Sequence, residues 1–155
     1  MFDIVISNGK IMDGSGTLPY RGSIGIKGDM ILKIAATTSL SGKRIIEAEG
    51  MVVSPGFVDI HGHSDYFLLL NPQAESKVRQ GVTTEIGGNC GYSAAPIFGE
   101  EAYEREIEYR KQFSLDLNWR TLKEYGDLLK RIGISMNFAI LLGHNTIRAS
   151  VMGKE

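Results

Sequence analysis

Val53-Ser54-Pro55-Gly56-Phe57-Val58-Asp59-Ile60-His61-Gly62-His63-Ser64-Asp65 runs from apolar, β-prone residues into two histidines separated by one glycine. On an extended chain, residues i and i+2 point to the same side. A strand continuing through His63 would therefore deliver both imidazoles to one place. Imidazole is the commonest protein ligand for zinc and similar metals. The apolar residues before the pair predict a buried strand, and the polar residues after it predict that the strand ends where a site opens. The segment reads as the floor of a metal centre.

Upstream of Pro55 the chain reads as short strands: Asp3 to Ser7, Ser23 to Ile26, Met30 to Ile34, Arg44 to Glu47 and Met51 to Val53. Glycine pairs such as Asn8-Gly9, Asp13-Gly14, Gly28-Asp29 and Glu49-Gly50 look like turn punctuation between them. Residues 1–54 are thus expected to be a small all-β unit with little material for a core of its own. Downstream, residues 55–155 alternate strands with helix-length segments. Strands are predicted over Phe57–His61, Thr83–Ile86 and Met136–Leu142. Helices are predicted from Asn71-Pro72 to Gln80, over Glu100–Gln112 and over Thr121–Arg131. Leu122, Tyr125, Leu128 and Leu129 recur at helical spacing and are core candidates, whereas the charged run Glu100–Lys111 is expected to be a solvated face.

Strand–helix alternation is the signature of parallel βα units. A (β/α)8 barrel takes about 250 residues, so the roughly 100 residues after Pro55 supply only about three units. The chain ends at Met152-Gly153-Lys154-Glu155 without a closing element. It is expected to be the N-terminal part of a longer protein, and to be inactive and poorly stable alone. A doubly wound sheet would instead place a glycine-rich phosphate loop after its first strand; here that position holds His-Gly-His.

Composition narrows the function. Seventeen basic and eighteen acidic residues give a net charge of −1, which makes no electrostatic case for nucleic acid or an anionic membrane. No apolar run approaches the ~20 residues that span a bilayer. One cysteine rules out a disulfide framework within the chain. With no signal-peptide pattern at Met1–Ser7, the expectation is a cytoplasmic protein.

In parallel α/β folds, sites form beyond the C-terminal ends of the strands. All three histidines and the only cysteine fall there: His61 and His63 after the first strand, Cys90 after the second, His144 after the third. A bound metal lowers the pKa of water to roughly 7 and polarises a carbonyl, both of which amide hydrolysis needs. A lone cysteine is usually a small buried hydrophobe, but Gly87-Gly88-Asn89-Cys90-Gly91 has the backbone freedom to present a thiolate. Both roles stay open for Cys90. His144 is balanced between lining the site and capping or packing. Asn89 is a further lining candidate. Asp65 reads as a surface or capping carboxylate that could orient a histidine.

Pro55-Gly56-Phe57-Val58-Asp59-Ile60-His61-Gly62-His63, behind a β-rich segment, resembles the amidohydrolase superfamily. Gln80-Gly81-Val82-Thr83-Thr84-Glu85-Ile86-Gly87-Gly88-Asn89-Cys90-Gly91-Tyr92-Ser93-Ala94-Ala95-Pro96, with Gly143-His144-Asn145-Thr146-Ile147-Arg148, resembles its D-aminoacylase (N-acyl-D-amino-acid deacylase) branch. The His-x-His motif points to the superfamily, and the Asn-Cys-Gly segment selects the branch. The resemblance implies an α/β fold, a (β/α)8 TIM barrel with a small β-sandwich built from both chain ends. It implies one or two Zn2+ ions, with His61 and His63 serving one position and Cys90 the tighter one, where many relatives use a carbamylated lysine. Further zinc histidines and the catalytic aspartate would lie beyond residue 155. The implied reaction is hydrolysis of an N-acyl-D-amino acid, a small-molecule substrate, with the oligomeric state left open. Two rivals are an amidohydrolase acting on cyclic amides, like dihydroorotase or hydantoinase, and a non-catalytic barrel scaffold.

Overall fold

The computed structural model describes residues 1–36 and 40–153. Lys154 and Glu155 of the chain ending noted above lie outside the described residues. The chain divides into two compact units, Met1–Pro55 and Gly56–Glu155, each built on its own sheet.

The first unit is a five-stranded sheet. Its strands are β1 (Phe2–Ile11), β2 (Tyr20–Lys27), β3 (Met30–Ala35), β4 (Gly42–Glu47) and β5 (Val52–Val53). They run in the order β3-β2-β1-β4, with β5 also on β1. β1 is longer than its apolar run Asp3–Ser7 suggested. Asn8-Gly9 is not a turn but a bulge inside β1: Asn8 takes φ 61, and the register with β2 shifts between Ile6 and Gly9. An Asx residue tolerates the left-handed conformation that a bulge needs. The Gly28-Asp29 turn does join β2 to β3 as an antiparallel hairpin. The small core, with Val5, Ile11, Ile24 and Ala48 buried, leaves Met30, Ile31, Leu32 and Ile34 of β3 and Ile45 of β4 exposed.

The second unit carries three parallel strands in the order β6-β7-β8, namely Phe57–Asp59, Val82–Gly87 and Asn137–Ile140. Between β6 and β7 lie α1 (Phe67–Leu70) and α2 (Glu75–Val78); α3 (Gly99–Phe113) and α4 (Leu122–Ile132) separate β7 from β8; α5 (His144–Met152) follows. The alternation expected of βα units is therefore present. Its details correct the sequence reading in four places. β6 stops at Asp59, so the histidines lie beyond the strand, and Phe57, Val58 and Ile60 are 59, 56 and 71% exposed rather than buried. The reason is position: among the described residues β6 is a sheet edge, with β7 on one side only. The helix expected from Asn71-Pro72 is instead the end of α1, whose last turn closes when the Asn71 N–H donates to the Phe67 carbonyl. Proline disfavours helical geometry in the residue before it, so α1 ends at Leu70 with Asn71 non-helical, and α2 spans only Glu75–Val78. β8 is shorter than Met136–Leu142. Finally, α3 is not a wholly solvated face: Glu101 is 8% and the Arg105 side chain 14% exposed.

The core lies under the helices. Leu68, Ala94, Ala95, Ile97, Leu117, Trp119, Tyr125 and Leu129 form its buried centre. Trp119 Nε1 donates to the Ala94 carbonyl at 2.8 Å, so the indole is buried without an unpaired donor. α4 contributes Tyr125 and Leu129 from the predicted apolar stripe and starts at a capping box between Thr121 and Glu124. Among the described residues, no helix is long and apolar enough to cross a membrane.

Candidate metal centre

The loop after β6 and the loop after β7 meet at the C-terminal end of the parallel sheet. His61, His63 and Cys90 bring one ligand atom each to within 4.8 Å of one another. Nε2 of His61 stands 3.2 Å from Sγ of Cys90, and the two imidazole rings are 5.4 Å apart between centroids. Zinc binds nitrogen at about 2.0–2.1 Å and sulfur at about 2.3 Å in a tetrahedron, which spaces donors roughly 3–4 Å apart. The His61–Cys90 pair stands at that spacing, and two imidazoles and one thiol gathered within 4.8 Å are the donor types such an ion takes. Among the described residues this is the one convergence of three or more His, Cys, Asp or Glu ligand atoms.

Local backbone chemistry explains how a loop can do this. Gly88 (φ 74), Cys90 (φ 55) and Gly91 (φ 81) all lie in the left-handed region. At Gly88 a Cβ would fall 2.1 Å from the Leu141 carbonyl oxygen, so only glycine lets the loop pass the end of β8. Cys90 alone among the three holds this conformation with a side chain, at a cost of about 1–2 kcal/mol. Strain of this kind gathers at functional sites.

The histidine loop is held by the end of β7. The Gly62 N–H donates to the Ile86 carbonyl at 3.0 Å. Asn89 Nδ2 donates to the Gly62 and Ile86 carbonyls at 3.1 and 2.7 Å. The side chain of Asn89 is thus a buried brace within the loops. Asp65 is 5% exposed, not a surface carboxylate; it accepts from the Gly88 N–H at 3.0 Å. Burial pushes its carboxyl pKa up, opposed by backbone N–H donors including Gly88. Its own carbonyl accepts from Tyr125 Oη at 2.5 Å. Asp59, at the end of β6, is paired with Lys77, which holds its carboxyl below the usual range together with the His61 N–H.

His144 is the first residue of α5, exposed, with Nδ1 at 3.4 Å from Asn145 Oδ1. The turn it begins is tied to the cysteine loop, because the Asn145 and Thr146 N–H groups donate to the Gly91 carbonyl at 2.8 and 3.2 Å.

A cleft of about 480 Å³ opens beside His63. Its walls include Tyr66, Phe67, Tyr92, Arg105 and Tyr109, none of which the sequence singled out. Tyr66 and Tyr109 stack with centroids 4.1 Å apart, and Arg105 Nη1 donates to Tyr66 Oη at 2.9 Å and to the Ser93 carbonyl at 3.2 Å. Burial raises the Tyr66 pKa, and burial together with neighbouring Tyr66 pushes Tyr109 up to about 12. The inward spacing of Glu101, Arg105 and Tyr109 on one helix face was the available signal, hidden by the polarity of α3.

Known proteins resemble this chain in sequence and in fold. The chain is 34% identical to a D-aminoacylase of Alcaligenes xylosoxydans xylosoxydans over 97% of its own length and 31% of that protein. A crystal structure of D-aminoacylase, described as defining a novel subset of amidohydrolases, superposes with a TM-score of 0.85 at 34% identity, covering 98% of this chain and 32% of that one. An N-acyl-D-glutamate deacylase from Bordetella bronchiseptica, solved with zinc and a phosphonate mimic of the tetrahedral intermediate, gives 0.82 at 30% identity over 97% of this chain and 31% of that one. The chain thus spans about a third of the length of these relatives. The amidohydrolase family pattern matches residues 44–155, and with histidines after one parallel strand and a cysteine after the next, this chain belongs to the amidohydrolase family.

Proposed function

We propose that the chain supplies part of the metal centre of a zinc-dependent hydrolase that cleaves the amide bond of N-acyl-D-amino acids, releasing a carboxylate and a free D-amino acid. The observation that carries this reading is the convergence of His61, His63 and Cys90 within 4.8 Å. Similarity to D-aminoacylase and to a zinc-containing N-acyl-D-glutamate deacylase supplies the substrate class.

His61 and His63 would hold the ion through imidazole nitrogens and Cys90 through its thiolate. A zinc ion bound there lowers the pKa of water to roughly 7 and polarises the amide carbonyl. The chain's own residues bind and orient. The cleft beside His63 has the size of a small-molecule site and aromatic walls in Tyr66, Phe67, Tyr92 and Tyr109, suited to the apolar part of an acyl amino acid. The remaining ligands and the general base belong to the share of the relatives' length that this chain does not span.

The test uses the intact protein. It should contain zinc, release D-amino acid from N-acetyl-D-amino acids and leave the L enantiomers uncut. Chelation should abolish turnover and added Zn2+ restore it, while Cys90→Ser should cut activity by at least ~100-fold and reduce bound zinc. A protein without zinc, or one equally active on both enantiomers, sinks this function.

A further inference from the structure

Glu85 takes no part in the chemistry above, yet it is a fully buried carboxylate on β7, five residues before Cys90. A carboxylate in such a place is costly unless its oxygens are satisfied. Most of that satisfaction comes from one residue. Oε1 accepts from the Ser64 N–H at 3.0 Å, and Oε2 accepts from Ser64 Oγ at 2.9 Å. Lys77 Nζ lies 3.4 Å from Oε2. Two bonds to one residue fix its orientation as well as its distance.

Ser64 directly follows His63, and the carboxylate also bears on the other side of that histidine. A Cβ at Gly62 would fall 1.8 Å from Glu85 Oε1, so the backbone between the two histidines rests against it. The other braces of this loop grip Gly62 and Asp65. The N–H and hydroxyl of Ser64 are both committed to Glu85.

We infer that Glu85 is a positioning residue for the metal centre: its carboxylate clamps Ser64 and supports Gly62, and so sets His61 and His63 at donor distance from Cys90. This rests on reading those three as metal donors. Glu85 touches neither the donors' ligand atoms nor the cleft, and acts only through the loop.

The experiment titrates the metal-free intact protein with Co2+ and follows the thiolate-to-cobalt charge-transfer band, alongside thermal unfolding. Glu85→Gln keeps an oxygen for the Ser64 N–H and offers an amide N–H to Ser64 Oγ, so affinity and band should stay close to the parent's. Glu85→Ala should lose about 10–100-fold in Co2+ affinity and change the band shape. Ser64→Ala, which removes only the hydroxyl arm, should show a smaller loss in the same direction. A folded Glu85→Ala protein with the parent's affinity and band overturns the inference, even if it melts earlier. Should Glu85→Ala fail to fold, parental Co2+ binding in Ser64→Ala overturns it instead. A failure of the donor reading is separately visible: the parent would show no thiolate band, or Cys90→Ser would not remove it.

Discussion

Cys90 combines a left-handed backbone, φ 55, with a side chain directed at His61. Glycine would hold that conformation without the Cβ penalty. Cys90→Gly should therefore stabilise the metal-free protein by up to about 1 kcal/mol while removing the thiol and with it Co2+ charge transfer. Cys90→Ser should leave stability nearly unchanged and lose the same band. Denaturant unfolding of the two variants checks this, and a Cys90→Gly protein less stable than the parent contradicts the strain account. Gly62→Ala should act in the opposite sense. Its Cβ must displace the Glu85 carboxylate or the loop, so it should both lower stability by roughly 1–3 kcal/mol and weaken Co2+ binding. His61, His63 and Cys90 were legible in the sequence because donor residues are few in this chain and sit after strands. Glu85 and Ser64 were not. They stand 21 positions apart, and a glutamate inside a strand reads as a solvent-facing residue until the fold shows where its oxygens go.

Strands and helices were readable to the extent that local chemistry controls them. α4 begins one residue after the predicted Thr121, because the capping box of Thr121 and Glu124 satisfies N–H groups that no helix can satisfy internally. Thr121→Ala should cost about 1 kcal/mol, measured as a lower denaturant midpoint at constant slope. The Glu124 carboxyl is held below its ordinary range by the Thr121 and Arg120 N–H groups. A depressed carboxyl pKa contributes stability that is present above the unfolded value and is lost as pH falls through the folded one. The penalty of Glu124→Gln should accordingly be seen at neutral pH and vanish in acid. Within two correctly expected strands, one feature each was missed. The left-handed bulge at Asn8 imitates a turn signal, and β6 has the composition of a buried strand but a place at the sheet edge. α3 was foreseen as a helix, but its buried face was not: the inward Glu101–Arg105 pair carries the same letters as a solvated helix.

At the scale of the whole molecule, exposed apolar surface is the dominant physical fact. Among the described residues, β6 and β8 each have only β7 as a strand neighbour, whereas a closed barrel has no free edges. Phe57, Val58 and Ile60 near one edge, Leu141 and Leu142 near the other, and Met30, Ile31, Leu32 and Ile34 of β3 are more than two-fifths exposed. The 155-residue chain by itself should bind a hydrophobic dye strongly and sediment as concentration-dependent oligomers. A monomeric, dye-silent chain would contradict this. Alkaline behaviour offers a second check. Burial raises the pKa values of Tyr66, Tyr109 and Tyr125, that of Tyr109 to about 12. A raised tyrosine pKa favours the folded state fully below its unfolded value near 10, and that contribution is lost as pH rises toward the folded value. Tyrosinate absorbance should thus show a late-ionising class that merges with the ordinary class on unfolding.

The arrangement of the donor loops has a consequence for the order of assembly. His61 and Cys90 are only 29 positions apart, and the bonds that space them, from Gly62 to Ile86, Ser64 to Glu85, Asp65 to Gly88 and Asn89 to Gly62, all fall between residues 62 and 89. Closing so short a stretch costs little loop entropy, and contacts of low sequence separation form early. The three-donor cluster is therefore a local product of one βαβ crossover, within reach of a chain still emerging from the ribosome.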